Sequence, residues 1–133
     1  MEYESKNKPK LENSRIEYFD KLIVPEFLKS EVPITDTIKQ NVKKYREIIS
    51  NILKGNDKRL IMIVGPCSIH NIEEAKIYGN MLKNLSNQVD DKIFIIMRVY
   101  FEKPRTTNGW KGLINDPELD DSFQVNKGIR LAR

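Results

Sequence analysis

Arg98, Lys103 and Arg105 fall within seven positions of one another, and Pro104 fixes the backbone between the last two. Thr106 and Thr107 add hydroxyl donors. A guanidinium offers a two-pronged fork to phosphate or carboxylate oxygens, and an ammonium offers a mobile point charge. Arg98 also closes an apolar run, Ile93-Phe94-Ile95-Ile96-Met97. A cation there is costly to bury unless an anion meets it. Glu102 is placed to hold one of the cations by an ion pair when no ligand is bound. Residue types alone leave two readings open, an anion-binding loop and an ordinary basic surface loop.

A second set of unusual residues is Gly65-Pro66-Cys67-Ser68-Ile69-His70. It follows another apolar run, Leu60-Ile61-Met62-Ile63-Val64, and Gly65-Pro66 makes a sharp exit from it. In parallel α/β proteins, ligands sit beyond the carboxyl ends of strands. Cys67 is therefore a candidate metal ligand or nucleophile, with a small buried hydrophobe as the plain alternative. His70, the single histidine, stands at a two-ligand spacing from Cys67, but one Cys-x-x-His pair without a second is weak evidence for a metal. Capping, or orienting a neighbour, suits His70 better. Trp110, between Gly109 and the Lys111-Gly112 pair, either covers a site or anchors its loop. The anchor is favoured.

The elements that must position these groups follow from periodicity. Apolar runs without alternation are strands covered on both faces, as in a parallel sheet. Between them, Ala75, Tyr78, Met81, Leu82 and Leu85 form one stripe, which predicts a helix from Ile72 to Leu85 capped by Asn71, with Glu74 placed to reach back. Strand, helix and strand make a βαβ unit. Upstream, a helix is predicted over Asp36–Lys54, with Thr35 as N-cap and Gly55 as its stop. Residues 1–34, interrupted by Pro9, Pro25 and Pro33, read as an extended arm held by a few anchoring side chains. A long loop is expected from Tyr100 to about Asp121, then a helix from near Ser122 that still runs at Arg133. Two strands do not close a parallel sheet. The chain is thus expected to be a piece of something larger, or to borrow strands from another chain.

Bulk properties exclude several classes. The chain has 133 residues, 39% hydrophobic and 32% charged, which suits a folded domain rather than a disordered one. Its 23 Lys and Arg against 19 Asp and Glu leave a net charge of only +4, spread along the chain. Nucleic-acid binders concentrate their cations on one face, so a nucleic-acid partner is not expected. One cysteine cannot form an internal disulfide, and no run approaches the ~18 apolar residues of a membrane span. Met1–Lys10 lacks the apolar run of a signal peptide. The expectation is a cytoplasmic protein with no membrane partner.

Taken together, the two strand ends resemble the type I, microbial-type 3-deoxy-7-phosphoheptulonate synthases. Gly-Pro-Cys-Ser-Ile-His at 65–70 is similar to the family's first-strand signature, and Arg-Val-Tyr-Phe-Glu-Lys-Pro-Arg-Thr-Thr at 98–107 to its second. Gly-Trp-Lys-Gly-Leu-Ile-Asn-Asp-Pro at 109–117, Ser122-Phe123-Gln124 and Gly128–Arg133 continue the match, which runs from about Leu53 onward. The related 3-deoxy-octulosonate 8-phosphate synthases share the Gly-Pro-Cys idea but replace the Lys-Pro-Arg-Thr loop, and are set aside. The resemblance implies an α/β fold: the first two βα units of a (β/α)8 barrel over residues 35–133, after the arm at 1–34. It implies condensation of phosphoenolpyruvate with erythrose 4-phosphate and water, the first step of aromatic amino-acid biosynthesis by the shikimate pathway. It implies Arg98 and Lys103 on phosphoenolpyruvate, with Lys103 catalytic and near the reacting carbons. Pro104, Arg105 and Thr106 correspond to the erythrose 4-phosphate site, with Arg105 on the phosphate. Cys67 corresponds to one of four ligands of a divalent metal, whose other ligands come from later strands; His70 is not among them. A homo-oligomer and an aromatic amino-acid effector are family traits. A barrel needs eight strands and about 250 residues. A truncated or partial product, inactive alone, is therefore expected, or else a non-catalytic fragment associating with a full-length synthase through the arm and the Asp36–Lys54 helix.

Overall fold

The computed structural model describes residues 16, 19–102 and 109–133. Both apolar runs form strands with the expected bounds, β1 (Leu60–Val64) and β2 (Ile93–Met97). They pair in parallel, Leu60 with Ile93 through Val64 with Met97. The helix between them, α3 (Ile72–Val89), continues four residues past the expected Leu85. Asn71 caps it by accepting from the Glu73 and Glu74 amides at 2.9 and 3.1 Å. Among the described residues the sheet has these two strands. The architecture is α/β, with one parallel pair and helices beside it.

Upstream, the helix α2 (Asp36–Leu53) starts as expected, with the Thr35 hydroxyl accepting from the Ile38 amide at 3.2 Å. Lys54 is its C-cap rather than its last residue. The extended arm expected over residues 1–34 is corrected in one stretch: Pro25–Glu31 is a short helix, α1. Proline breaks helix interiors, but at the first helical position its missing N–H costs nothing. Phe27 lies exposed, whereas Ile23 and Leu28 are half-buried. Polar contacts also clip the arm. Asn126 accepts from the Ile23 amide at 2.8 Å and donates to the Lys21 carbonyl at 2.9 Å. Arg130 donates to Glu31 at 2.7 Å.

Those two residues belong to α4 (Val125–Ala132), which begins three residues after the expected Ser122. The cause lies in the backbone. Leu119, Asp121 and Phe123 have φ of 58°, 60° and 49°. Side-chain-bearing residues enter a helix only at negative φ, so none can start before this segment ends.

The amino-terminal end of the sheet is closed by Arg59. Its guanidinium donates to Asp57 Oδ2 at 2.8 Å and to Asp90 Oδ1 at 2.6 Å, and stands 5.5 Å from the Phe94 ring centroid. Hydrogen bonds from the Arg59 side chain, then from its amide, hold the Asp57 carboxyl below the usual aspartate range. A lowered pKa stabilises the fold in full above the ordinary aspartate value of about 3.9. That contribution disappears as pH falls through the lowered value. Thermal melts from pH 7 to pH 3 should show this loss. Asp57→Asn should melt lower at pH 7 and lose less on acidification. An equal acid slope in both proteins would rule the clasp out.

The core is thin. Among the described residues, Ile69, Phe94 and Leu113 are the buried hydrophobics. Leu60, at 71% exposure, and Ile63, at 66%, lie open on β1, although their sequence context marks both faces for burial.

Candidate active site

Both candidate segments leave the same end of the parallel pair, and the structure ties them together. The Arg98 amide donates to the Val64 carbonyl at 2.6 Å, and the Ile69 amide to the Tyr100 carbonyl at 2.8 Å. Arg98 Nη1 donates to the Pro66 carbonyl at 3.1 Å, and its guanidinium stands 5.1 Å from the Tyr100 ring centroid. The Arg98 head group thus lies against the residue that precedes Cys67. Both Arg98 and Cys67 are exposed. A guanidinium carries five N–H donors and the bond to Pro66 uses one.

Gly65 makes this approach possible. A Cβ there would stand 2.9 Å from the Arg98 Cβ and closer still to the Arg98 carbonyl oxygen. The sequence reading treated Gly65 as a turn residue; its contact with the neighbouring strand is long-range and leaves no local signature.

His70 meets a residue outside this pair. Its Nε2 lies 3.5 Å from Glu74 Oε2 in the first turn of α3, so it meets a neighbour as expected. Among the described residues no three His, Cys, Asp or Glu side chains gather in a way that could hold a metal ion. Cys67 offers one donor, and the set around it is incomplete. Lys103, Pro104, Arg105 and Thr106 lie outside the described residues, as does Thr107.

The flanks of that loop are held. Glu102 and Gly112 form an antiparallel bridge. The Trp110 indole donates to the Asp116 carbonyl at 2.7 Å, so Trp110 anchors the loop. Asp116, in the sequence, stands out only as the residue before Pro117, a pair that marks a turn. It is buried to 2% exposure, its Oδ2 accepts from the Asp121 amide at 3.3 Å, and its Oδ1 has no partner.

Residues 31–132 match the model of the DAHP synthetase I family. The chain belongs to that family. The Phe-sensitive phospho-2-dehydro-3-deoxyheptonate aldolase of Escherichia coli K12 is 50% identical over 90% of this chain and 34% of its own length. The Tyr-sensitive one of Salmonella typhimurium is 48% identical over 95% of this chain and 35% of its own. The solved structure of the Francisella tularensis SCHU S4 aldolase superposes with a TM-score of 0.83 at 51% identity, covering 89% of this chain and 35% of that one. This DAHP synthetase I chain thus spans about a third of the length of these two curated relatives. Among the described residues of this family member, no helix is long and apolar enough to cross a membrane.

Proposed function

We propose that this chain carries the substrate-holding start of a 3-deoxy-7-phosphoheptulonate synthase. The observation that carries this reading is Arg98, at the end of β2, bonded across to Pro66 beside Cys67 at the end of β1. Arg98 and Lys103 hold the carboxylate and phosphate of phosphoenolpyruvate. Lys103 serves the reacting carbons, and Pro104, Arg105 and Thr106 form the erythrose 4-phosphate site. These two strands are the first of a (β/α)8 barrel, in a cytoplasmic protein. When bound, a divalent metal would polarise an aldehyde, with Cys67 as one ligand. The donor set among the described residues does not complete that site. An aromatic amino-acid effector follows from the relatives named for sensitivity to phenylalanine and tyrosine. A homo-oligomer belongs to the same reading.

The purified chain, given both substrates and a divalent metal, should form no product; clear turnover would overturn the expectation that it is inactive alone. The roles are tested in a chimera in which this chain replaces the matching part of the Francisella tularensis aldolase. There, Arg98→Ala should lower kcat/KM for phosphoenolpyruvate by about 10- to 100-fold, the loss expected for a charge-assisted hydrogen bond. An unchanged constant in an active chimera would refute the assignment of Arg98.

A second reading is favoured by α2, whose Ile38, Val42 and Tyr45 lie exposed. Through that face and the arm, the chain could associate with a full-length synthase as a non-catalytic partner. Co-purification with a full-length relative would support it.

A further inference from the structure

Arg98 is held differently from Arg59 and Arg130. Those two each donate to a carboxylate, at 2.6 and 2.7 Å. Arg98 meets no carboxylate among the described residues. Its guanidinium gives one N–H to the Pro66 carbonyl and has the Tyr100 ring against it, 5.1 Å from the centroid.

Both of these partners are neutral. A carboxylate would offset the positive charge and repel an incoming anion. A carbonyl and a ring face fix the head group and leave its charge to be met by a ligand. A guanidinium against a ring face also keeps its edge N–H donors for other partners, because they lie in its plane. An exposed arginine otherwise samples many rotamers, and that freedom is lost on binding unless the head group is already placed.

Tyr100 is itself anchored. Its carbonyl accepts from the Ile69 amide at 2.8 Å, and the Arg98 amide donates to the Val64 carbonyl at 2.6 Å. The backbone on both sides of Val99 is thus tied to the segment that leaves β1. The ring is not part of the core. Tyr100 is 39% exposed, so shortening its side chain opens no buried cavity.

We propose that Tyr100 is a positioning residue, whose ring holds the Arg98 guanidinium ready for a carboxylate or phosphate group at the ends of β1 and β2. The proposed activity enters only in naming that anion as phosphoenolpyruvate.

Two measurements test this. In the 133-residue chain, the ring current of Tyr100 should move the Arg98 Hδ and Hε resonances upfield of those of free arginine. The displacement should persist in Tyr100→Phe, which keeps the ring, and vanish in Tyr100→Leu. Its absence from the parent chain would overturn the proposal. In the chimera, Tyr100→Leu should raise KM for phosphoenolpyruvate about 3- to 10-fold with kcat nearly unchanged, the loss expected for an exposed contact between a cation and a ring. Tyr100→Phe should restore KM to near the parent value. In an Arg98→Ala background, Tyr100→Leu should add no further loss. An equal loss in both backgrounds would show that the ring supports the loop rather than Arg98, and would overturn the proposal. The two readings fail separately. If Arg98→Ala leaves KM unchanged, the assignment of Arg98 to phosphoenolpyruvate falls, while the resonances of Arg98 still decide whether Tyr100 holds it.

Discussion

Gly128→Ala is expected to lower the melting temperature by several degrees and to undock α4. Helix propensity alone predicts the opposite, because alanine is preferred to glycine in a helix interior by about 1 kcal/mol. Packing decides the sign. Gly128 is buried where α4 crosses the turn that follows Gly112. A Cβ there would stand 2.5 Å from the Leu113 carbonyl oxygen and nearer to that of Ile114. Both are backbone atoms of a turn closed by the Asn115 and Asp116 amides on the Gly112 carbonyl, so neither yields easily. Overpacking of this kind costs about 1–3 kcal/mol or more, which outweighs the propensity gain. Each kcal/mol is worth several degrees in a domain of this size. Because Asn126 and Arg130 hold the arm, hydrogen exchange should rise together at residues 20–23 and along α4. An unchanged or higher melting temperature would show that the turn relaxes.

Gly65→Ala should act at the other critical contact, with a loss of about 1–3 kcal/mol by the same argument. The neighbours here are the Cβ and carbonyl of Arg98, and Arg98 is already bonded through its amide to Val64. The added methyl must spread the ends of β1 and β2, which separates Cys67 from Arg98. In the chimera described above, this should raise KM for phosphoenolpyruvate. Gly55→Asn is the control. Gly55 has φ of 77° and no atom within 4 Å of a Cβ, so its cost is conformational only. Asparagine tolerates that region, and a shift of well under 1 kcal/mol is expected. If Gly55→Asn destabilised the chain more than Gly65→Ala, close approach would not be the reason for Gly65.

Much of this was legible in the residues themselves. Leu60–Val64 and Ile93–Met97 appear as strands with the bounds read from the sequence, because runs this short, rich in β-branched residues and bounded by polar residues or Gly-Pro, suit a strand better than a helix. The caps Thr35 and Asn71 were readable because a cap bonds within three residues. The motifs at both strand ends pointed to the family that the comparisons show. Errors fell where a local signal has two meanings. Pro25 was taken as a breaker and starts a helix. The helix read as Ile72 to Leu85 from its apolar stripe continues to Val89.

Other features belong to tertiary structure alone. That Arg98 reaches Pro66, that Gly65 and Gly128 stand where no methyl fits, and that Asp116 is buried all depend on residues distant in the chain. Residue type and spacing determine which groups leave a strand and what chemistry they offer. Only packing decides which of them meet, because contact between remote segments is set by the shape of the backbones between them. For the same reason the apolar strands announced their need for neighbours in sequence, while a groove beside β2 exists only once α2, α3 and the sheet are assembled.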